Sequence, residues 1–180
     1  VLGVMATFAM SEALTIILKR NDPTVAAKQV SLTELGSIKI NKEERGKMYK
    51  TIPRSSVIGF LIGVLPGAGA TIASFLAYGM ERNLVKDEEK EKFGKGSVNG
   101  LSAPETANNA ACSGSFVPML TLGIPGSGTT DVMLGALLGF GIQPGPRLYM
   151  TNPEIFWSVI MSMYIGMVVL LILNLPLIPY

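Results

Sequence analysis

The sequence predicts an all-α membrane protein, a polytopic helical bundle whose helices are broken or re-entrant at Pro-Gly elements. Three observations carry that expectation. The chain of 180 residues has 15 Lys or Arg and 13 Asp or Glu, yet Ser55–Met80, Thr106–Thr130, Val132–Pro146 and Ile155–Tyr180 hold none of them. Uncharged runs of about 18 or more residues can cross a hydrocarbon core of roughly 30 Å, whereas a soluble domain interleaves charge with its apolar face. Two of these runs are interrupted by Pro-Gly, the first at its centre, which a straight helix does not tolerate.

Residues 1–18, VLGVMATFAMSEALTIIL, read as a partial helix ending at Lys19-Arg20. Segment 19–54 is a basic loop with nine Lys or Arg against four acidic residues, and the positive-inside bias places it in the cytoplasm. One straight helix over 55–80 would be about 39 Å long. Pro66-Gly67-Ala68-Gly69 splits it into two arms, which suits a re-entrant pair reaching mid-bilayer and returning; a broken helix that spans is the alternative. Segment 81–105 then reads as a polar loop whose mixed charges do not fix its side. Over 106–146 the chain forms broken helices, interrupted at Pro118 and again at Pro125-Gly126-Ser127-Gly128, with a short helical piece at Val132–Phe140 and a GIQPGP turn. Ile155–Tyr180 is the most conventional spanning helix, anchored by Trp157 at the interface.

The net charge of +2 and the lack of a basic, aromatic-laced patch exclude nucleic acid as a partner. The sequence holds no histidine, so the usual zinc sites and His-assisted nucleophiles are not possible, and no enzymatic chemistry is expected. Cys112 has no second cysteine to pair with and reads as a small buried thiol.

An internal repeat stands out: LPGAGAT at Leu65–Thr71 and IPGSGTT at Ile124–Thr130, matching as [LI]-P-G-[AS]-G-[AT]-T. Proline removes a donor and glycine permits unusual φ/ψ. Each element therefore opens backbone at membrane depth, and paired interrupted segments mark a transporter's midplane site. Half-helix N-termini offer N–H groups to an anion, and unwound carbonyls coordinate Na⁺. The candidate binding residues are Pro66, Gly67, Gly69 and Thr71 in the first element and Pro125, Gly126, Ser127, Gly128, Thr129 and Thr130 in the second. Asn108 and Asn109, set in an otherwise small and apolar stretch, either join them as groups that donate to a carboxylate or coordinate a cation, or bond through their amides between helices. Glu105 is either a further ligand or the cap of a helix beginning near Thr106; Asp131 is either a cation ligand or an aqueous helix end. The competing reading makes the chain a membrane scaffold in which the breaks only let helices pack closely.

VLPGAGATIASFLAYGMER, the FGKG at Phe93–Gly96, APETANNA, LTLGIPGSGTT, LLGFGIQPGP and the opening GVMATFAMSE together resemble the large membrane subunit of the tripartite tricarboxylate transporters, the TctA family. The resemblance is weakest over Asn21–Lys50. It implies a part of the second half of a multi-pass bacterial inner-membrane protein without a cofactor. Citrate or another carboxylate would be its substrate, and Na⁺ or H⁺ its coupling cation. It also implies two partners, a small membrane subunit and a periplasmic substrate-binding protein.

Overall fold

The computed structural model describes residues 40–177, together with Met10 and Leu14. The helix read over 1–18 and the loop up to residue 39 otherwise lie outside the described residues. Among the described residues every regular element is helical. They are α1 (Lys42–Val64), α2 (Gly69–Leu84), α3 (Asp87–Lys90), α4 (Val98–Gly114), α5 (Phe116–Leu122), α6 (Gly128–Gly139), α7 (Leu148–Thr151) and α8 (Pro153–Leu177). Lys39–Ile172 forms one compact unit.

The helix α1 starts inside the segment read from sequence as a loop. Asn41 and Glu44 form a capping box: Glu43 N donates to Asn41 Oδ1 at 2.8 Å and Asn41 N donates to Glu44 Oε2 at 2.8 Å. Glu43 and Glu44 also place negative charge on the positive end of the helix dipole. Charge density led the sequence reading, but local capping decides where a helix begins. Pro53 lies within α1 without ending it. The polar segment 81–105 is likewise mostly helical, since α2 runs to Leu84, α3 follows, and Ser97 caps α4 by accepting from Gly100 N at 3.0 Å.

The helices α1 and α2 form an antiparallel hairpin folded at Leu65–Ala68. Arg54 Nη2 meets Glu81 Oε1 at 2.8 Å, and Lys47 Nζ meets Glu89 Oε1 at 2.9 Å, so both flanks of the hairpin emerge at one end. The α4 helix lies along both arms, parallel to α1 and antiparallel to α2. Their buried positions recur every four residues: Thr51, Ser55, Gly59 and Gly63 on α1, Ala73, Ala77 and Glu81 on α2, Asn99, Ala103, Ala107 and Ala111 on α4. Residues four apart share a helix face, and small ones let backbones approach closely. At Gly59 an added β-carbon would sit 2.6 Å from Ala107 Cα, and at Gly63 2.5 Å from Ala111 Cα.

A second core gathers Met119, Leu120, Leu137, Leu148 and Val159 from α5 to α8. The break before α5 falls at Ser115, and Pro118 sits inside the first turn of α5 instead of interrupting it, where a missing N–H costs no helical bond. Pro153–Leu175 of α8 is the one helical stretch among the described residues long and apolar enough to cross a membrane. That helix begins two residues before Ile155, and Trp157 near its start is exposed.

Candidate functional site

The two Pro-Gly elements differ in a way that one residue explains. In the first, α1 ends at Leu65 in extended geometry, Gly67 takes φ +79° and Gly69 takes φ +69°, and α2 begins behind Ala68 without a side-chain cap. The alanine side chain has no oxygen to offer, so no side chain among the described residues caps the start of α2; Pro66, Gly67 and Thr71 are exposed and Gly69 is half-buried. In the second, Gly123 in the left-handed conformation closes α5, and serine replaces that alanine. Ser127 caps α6 in a capping box with Thr130. The buried Thr130 Oγ1 accepts from Gly126 N at 3.0 Å and Ser127 N at 2.8 Å.

Thr130 and Gly126 are therefore internal. The amides of Gly126 and Ser127 are already satisfied, and a β-carbon at Gly126 would stand 2.8 Å from Ser115 Cβ and 3.3 Å from Gly63 O. The second element packs against the junction of α4 with α5 and the last turn of α1, with Ser127 Oγ 3.4 Å from Ser115 Oγ. The second break thus packs against Gly63, two residues before the first one opens. Pro125 and Ser127 are half-buried, while Gly128 and Thr129, the first residues of α6, are exposed, as is Asp131 in its first turn.

On α4, Glu105, Asn108, Asn109 and Cys112 occupy i, i+3, i+4 and i+7, one face turned away from the small-residue core, and all four are exposed. The reading of Cys112 as a buried thiol does not hold: its alanine neighbours made it look internal, but the buried face is offset to Ala107 and Ala111. Side-chain bonds on this face stay within the helix, with Asn109 Nδ2 donating to Glu105 O at 2.8 Å and Cys112 Sγ to Asn108 Oδ1 at 3.7 Å. None links the Asn pair to another described helix. Glu105 stands eight residues into α4, so it is not that helix's cap.

One constellation was missed by sequence reasoning. Glu81 is fully buried, and its Oε1 accepts from Thr51 Oγ1 at 2.8 Å, Arg54 Nη2 at 2.8 Å and Asn99 Nδ2 at 3.1 Å. The signal was present: Arg54 and Glu81 bracket the uncharged run, and two equal arms folded at its centre bring the brackets together. Beyond them, Glu89 is held below the usual carboxylate range by Lys92 and then Lys47, and Lys47 is raised by Glu89 and Glu43.

Residues 1–180 match the family described as "Tripartite tricarboxylate transporter TctA family". Two Agrobacterium vitis proteins are similar. One, named "Uncharacterized 52.8 kDa protein in TAR-I ttuC' 3'region", is 39% identical over 174 residues, covering 97% of this chain and 33% of its own length. The other, named "Uncharacterized protein in TAR-II ttuC' 3'region", is 49% identical over 120 residues, covering 67% of this chain and 49% of its own length. The chain thus spans between a third and a half of the curated relatives it matches. No solved structure matches. A family match over the full chain, on the same residues that build the two breaks and the Asn-bearing helix, settles membership: this chain belongs to the TctA family of the tripartite tricarboxylate transporters, a membrane transporter component.

Proposed function

We propose that this chain forms part of the substrate path of a cation-coupled carboxylate transporter, with the open start of α2, the start of α6 and the Asn108–Asn109 face of α4 lining it. The observation that supports this most is the α4 face. In a membrane family, a stripe of Glu105, Asn108 and Asn109 that bonds to no other described helix needs polar company, either a ligand, water or the rest of the transporter. The uncapped amides of α2 and the exposed Gly128 and Thr129 at the positive end of α6 suit a carboxylate. A tricarboxylate such as citrate is the substrate class, Na⁺ or H⁺ the coupling ion, and the small membrane subunit and periplasmic binding protein the partners in a bacterial inner membrane. The scaffold reading draws support from Gly126, whose role is close packing.

That distinction selects the variant to test. Alanine at Gly67 or Gly69 strains a left-handed backbone and at Gly126 it clashes, so loss there would not identify a ligand. Gly128 has ordinary φ and nothing within 4 Å of an added β-carbon. Gly128→Ala and Asn109→Ala are expected to leave membrane abundance near wild type while reducing uptake of labelled citrate in vesicles at least about tenfold, the first by obstructing and the second by removing one charge-assisted contact. Uptake unchanged in both, or abundance falling in step with it, would favour the scaffold.

The hairpin makes a separate claim. Because α1 and α2 return to one end, Lys42 and Lys90 lie on one side of the membrane, the cytoplasmic one by the excess of Lys and Arg. In a Cys112→Ser background, Lys42→Cys and Lys90→Cys should both resist impermeant reagents added outside. Labelling of position 90 alone would replace the hairpin with a broken spanning helix.

A further inference from the structure

A cavity of about 590 Å³ opens beside the Arg54–Glu81 pair at the end where both hairpin arms emerge. Its walls carry Lys47, Lys50, Arg54 and Lys86 against only Glu43 and Glu89. The cations divide into two kinds. Arg54 is tied to the buried Glu81 at 2.8 Å, and Lys47 is shared between Glu43 at 3.0 Å and Glu89 at 2.9 Å. Their carboxylate partners hold those two groups in place. Lys50 and Lys86 form no ion pair among the described residues, so the surplus positive charge of the cavity is theirs.

We propose that this cavity binds a phosphate-bearing anion, and that the source of the phosphate is the headgroup of an anionic phospholipid. A fixed guanidinium beside mobile ammonium groups matches a phosphate with several acceptor oxygens, the guanidinium giving direction and the lysines charge. The position selects the lipid source. Arg54 and Glu81 end the uncharged run, and the cavity's lysines lie just beyond it, at the level where hydrocarbon gives way to headgroups; basic pockets between membrane helices at that level hold anionic lipids. The exposed Leu84 on the cavity wall gives an acyl chain an apolar surface to follow. This placement rests on the hairpin reading of the proposed function, whereas the recognition chemistry does not.

The test uses the purified protein in a neutral detergent, titrated calorimetrically with dioctanoyl phosphatidylglycerol, dioctanoyl phosphatidylcholine and inorganic phosphate. Phosphatidylglycerol should bind saturably, phosphatidylcholine should not, and inorganic phosphate should bind at least about tenfold more weakly than phosphatidylglycerol because it lacks the apolar contact. The double variant Lys50→Ala with Lys86→Ala should weaken phosphatidylglycerol about tenfold or more, while Lys42→Ala, outside the cavity, should keep wild-type affinity. Both lysines are exposed and unpaired among the described residues, so the fold does not depend on them. Equal affinity of the double variant and wild type, or of the two lipids, overturns the site. Inorganic phosphate binding as tightly as phosphatidylglycerol overturns the headgroup source and assigns the cavity to a free anion. Binding in micelles is independent of membrane sidedness, so failure of the hairpin would appear in the labelling of positions 42 and 90 and not here.

Discussion

Gly63→Ala is expected to be the most damaging single-methyl change in the α1–α2–α4 unit. The added β-carbon would lie 2.5 Å from Ala111 Cα and 2.7 Å from its carbonyl carbon. Both are backbone atoms of a facing helix, which no rotamer change can move. Relief requires α1 and α4 to separate, and separation also loosens Gly59 against Ala107 and Gly114 against Phe60 O, because these contacts lie along the same seam. Overpacking of this kind costs about 1–3 kcal/mol and occasionally more. Gly63→Leu should prevent assembly of the unit. Gly79→Ala is the matched control: it lies in α2 with nothing within 4 Å of the new carbon, so its helix propensity should make it neutral or stabilising by up to about 1 kcal/mol. Unfolding in graded SDS, followed by circular dichroism, would compare them. Equal midpoints for the Gly63 and Gly79 variants would show that α1 and α4 are not in backbone contact.

Glu81→Ala should cost a comparable amount, for an electrostatic reason. One carboxylate oxygen holds three donors, two from α1 and one from α4, while Oε2 is buried without a partner among the described residues. Truncation leaves Thr51 and Asn99 bonded only to each other and to the backbone, and strips Arg54 of its counter-charge. Removing one member of a buried pair costs about 3–5 kcal/mol, but the Arg54 side chain is 41% exposed and rehydrates, so the expected loss is about 2–3 kcal/mol. Glu81→Gln retains an oxygen for the three donors and should lose less than half of that. If the Gln and Ala variants unfold alike at the wild-type midpoint, the network contributes nothing.

The helical class and the interruptions at Pro66-Gly67 and Pro125-Gly126 were legible in the sequence because proline and glycine act on their own backbone, independently of what surrounds them. Helix starts were less legible. Lys42–Arg54 looked like a loop because charge density dominated the reading, although Asn41 and Glu44 spell a capping box in the same letters. The similarity of the two Pro-Gly elements hid a difference of consequence. Thr71 and Thr130 share an offset, but only Thr130 has a serine three residues earlier to pair with, so one threonine is exposed and the other closes its own helix end. The faces of α4 could not be assigned without its neighbours, since alanines flank Asn108-Asn109 on both sides and precede Cys112; the position of Gly59 and Gly63 on α1 selects which of those alanines turn inward.

The chain order of the Glu81 network also sets an order of assembly. Its bonds to Thr51 and Arg54 lie within α1 and α2, whereas both bonds of Asn99, 18 positions to Glu81 and 48 to Thr51, need α4. The Arg54 bond is complete once Glu81 has been made, so during synthesis from the N-terminus the α1–α2 hairpin can lock at its charged end before α4 exists. At that stage Gly59, Gly63, Ala73 and Ala77 form an open groove of exposed backbone with no bulky side chain to fill it. Only a helix equally poor in side-chain volume can close the groove, and α4 supplies Ala103, Ala107 and Ala111 in matching register. The hairpin is therefore a template, and a nascent chain halted before Val98 would present it vacant to any other small-faced helix in the membrane.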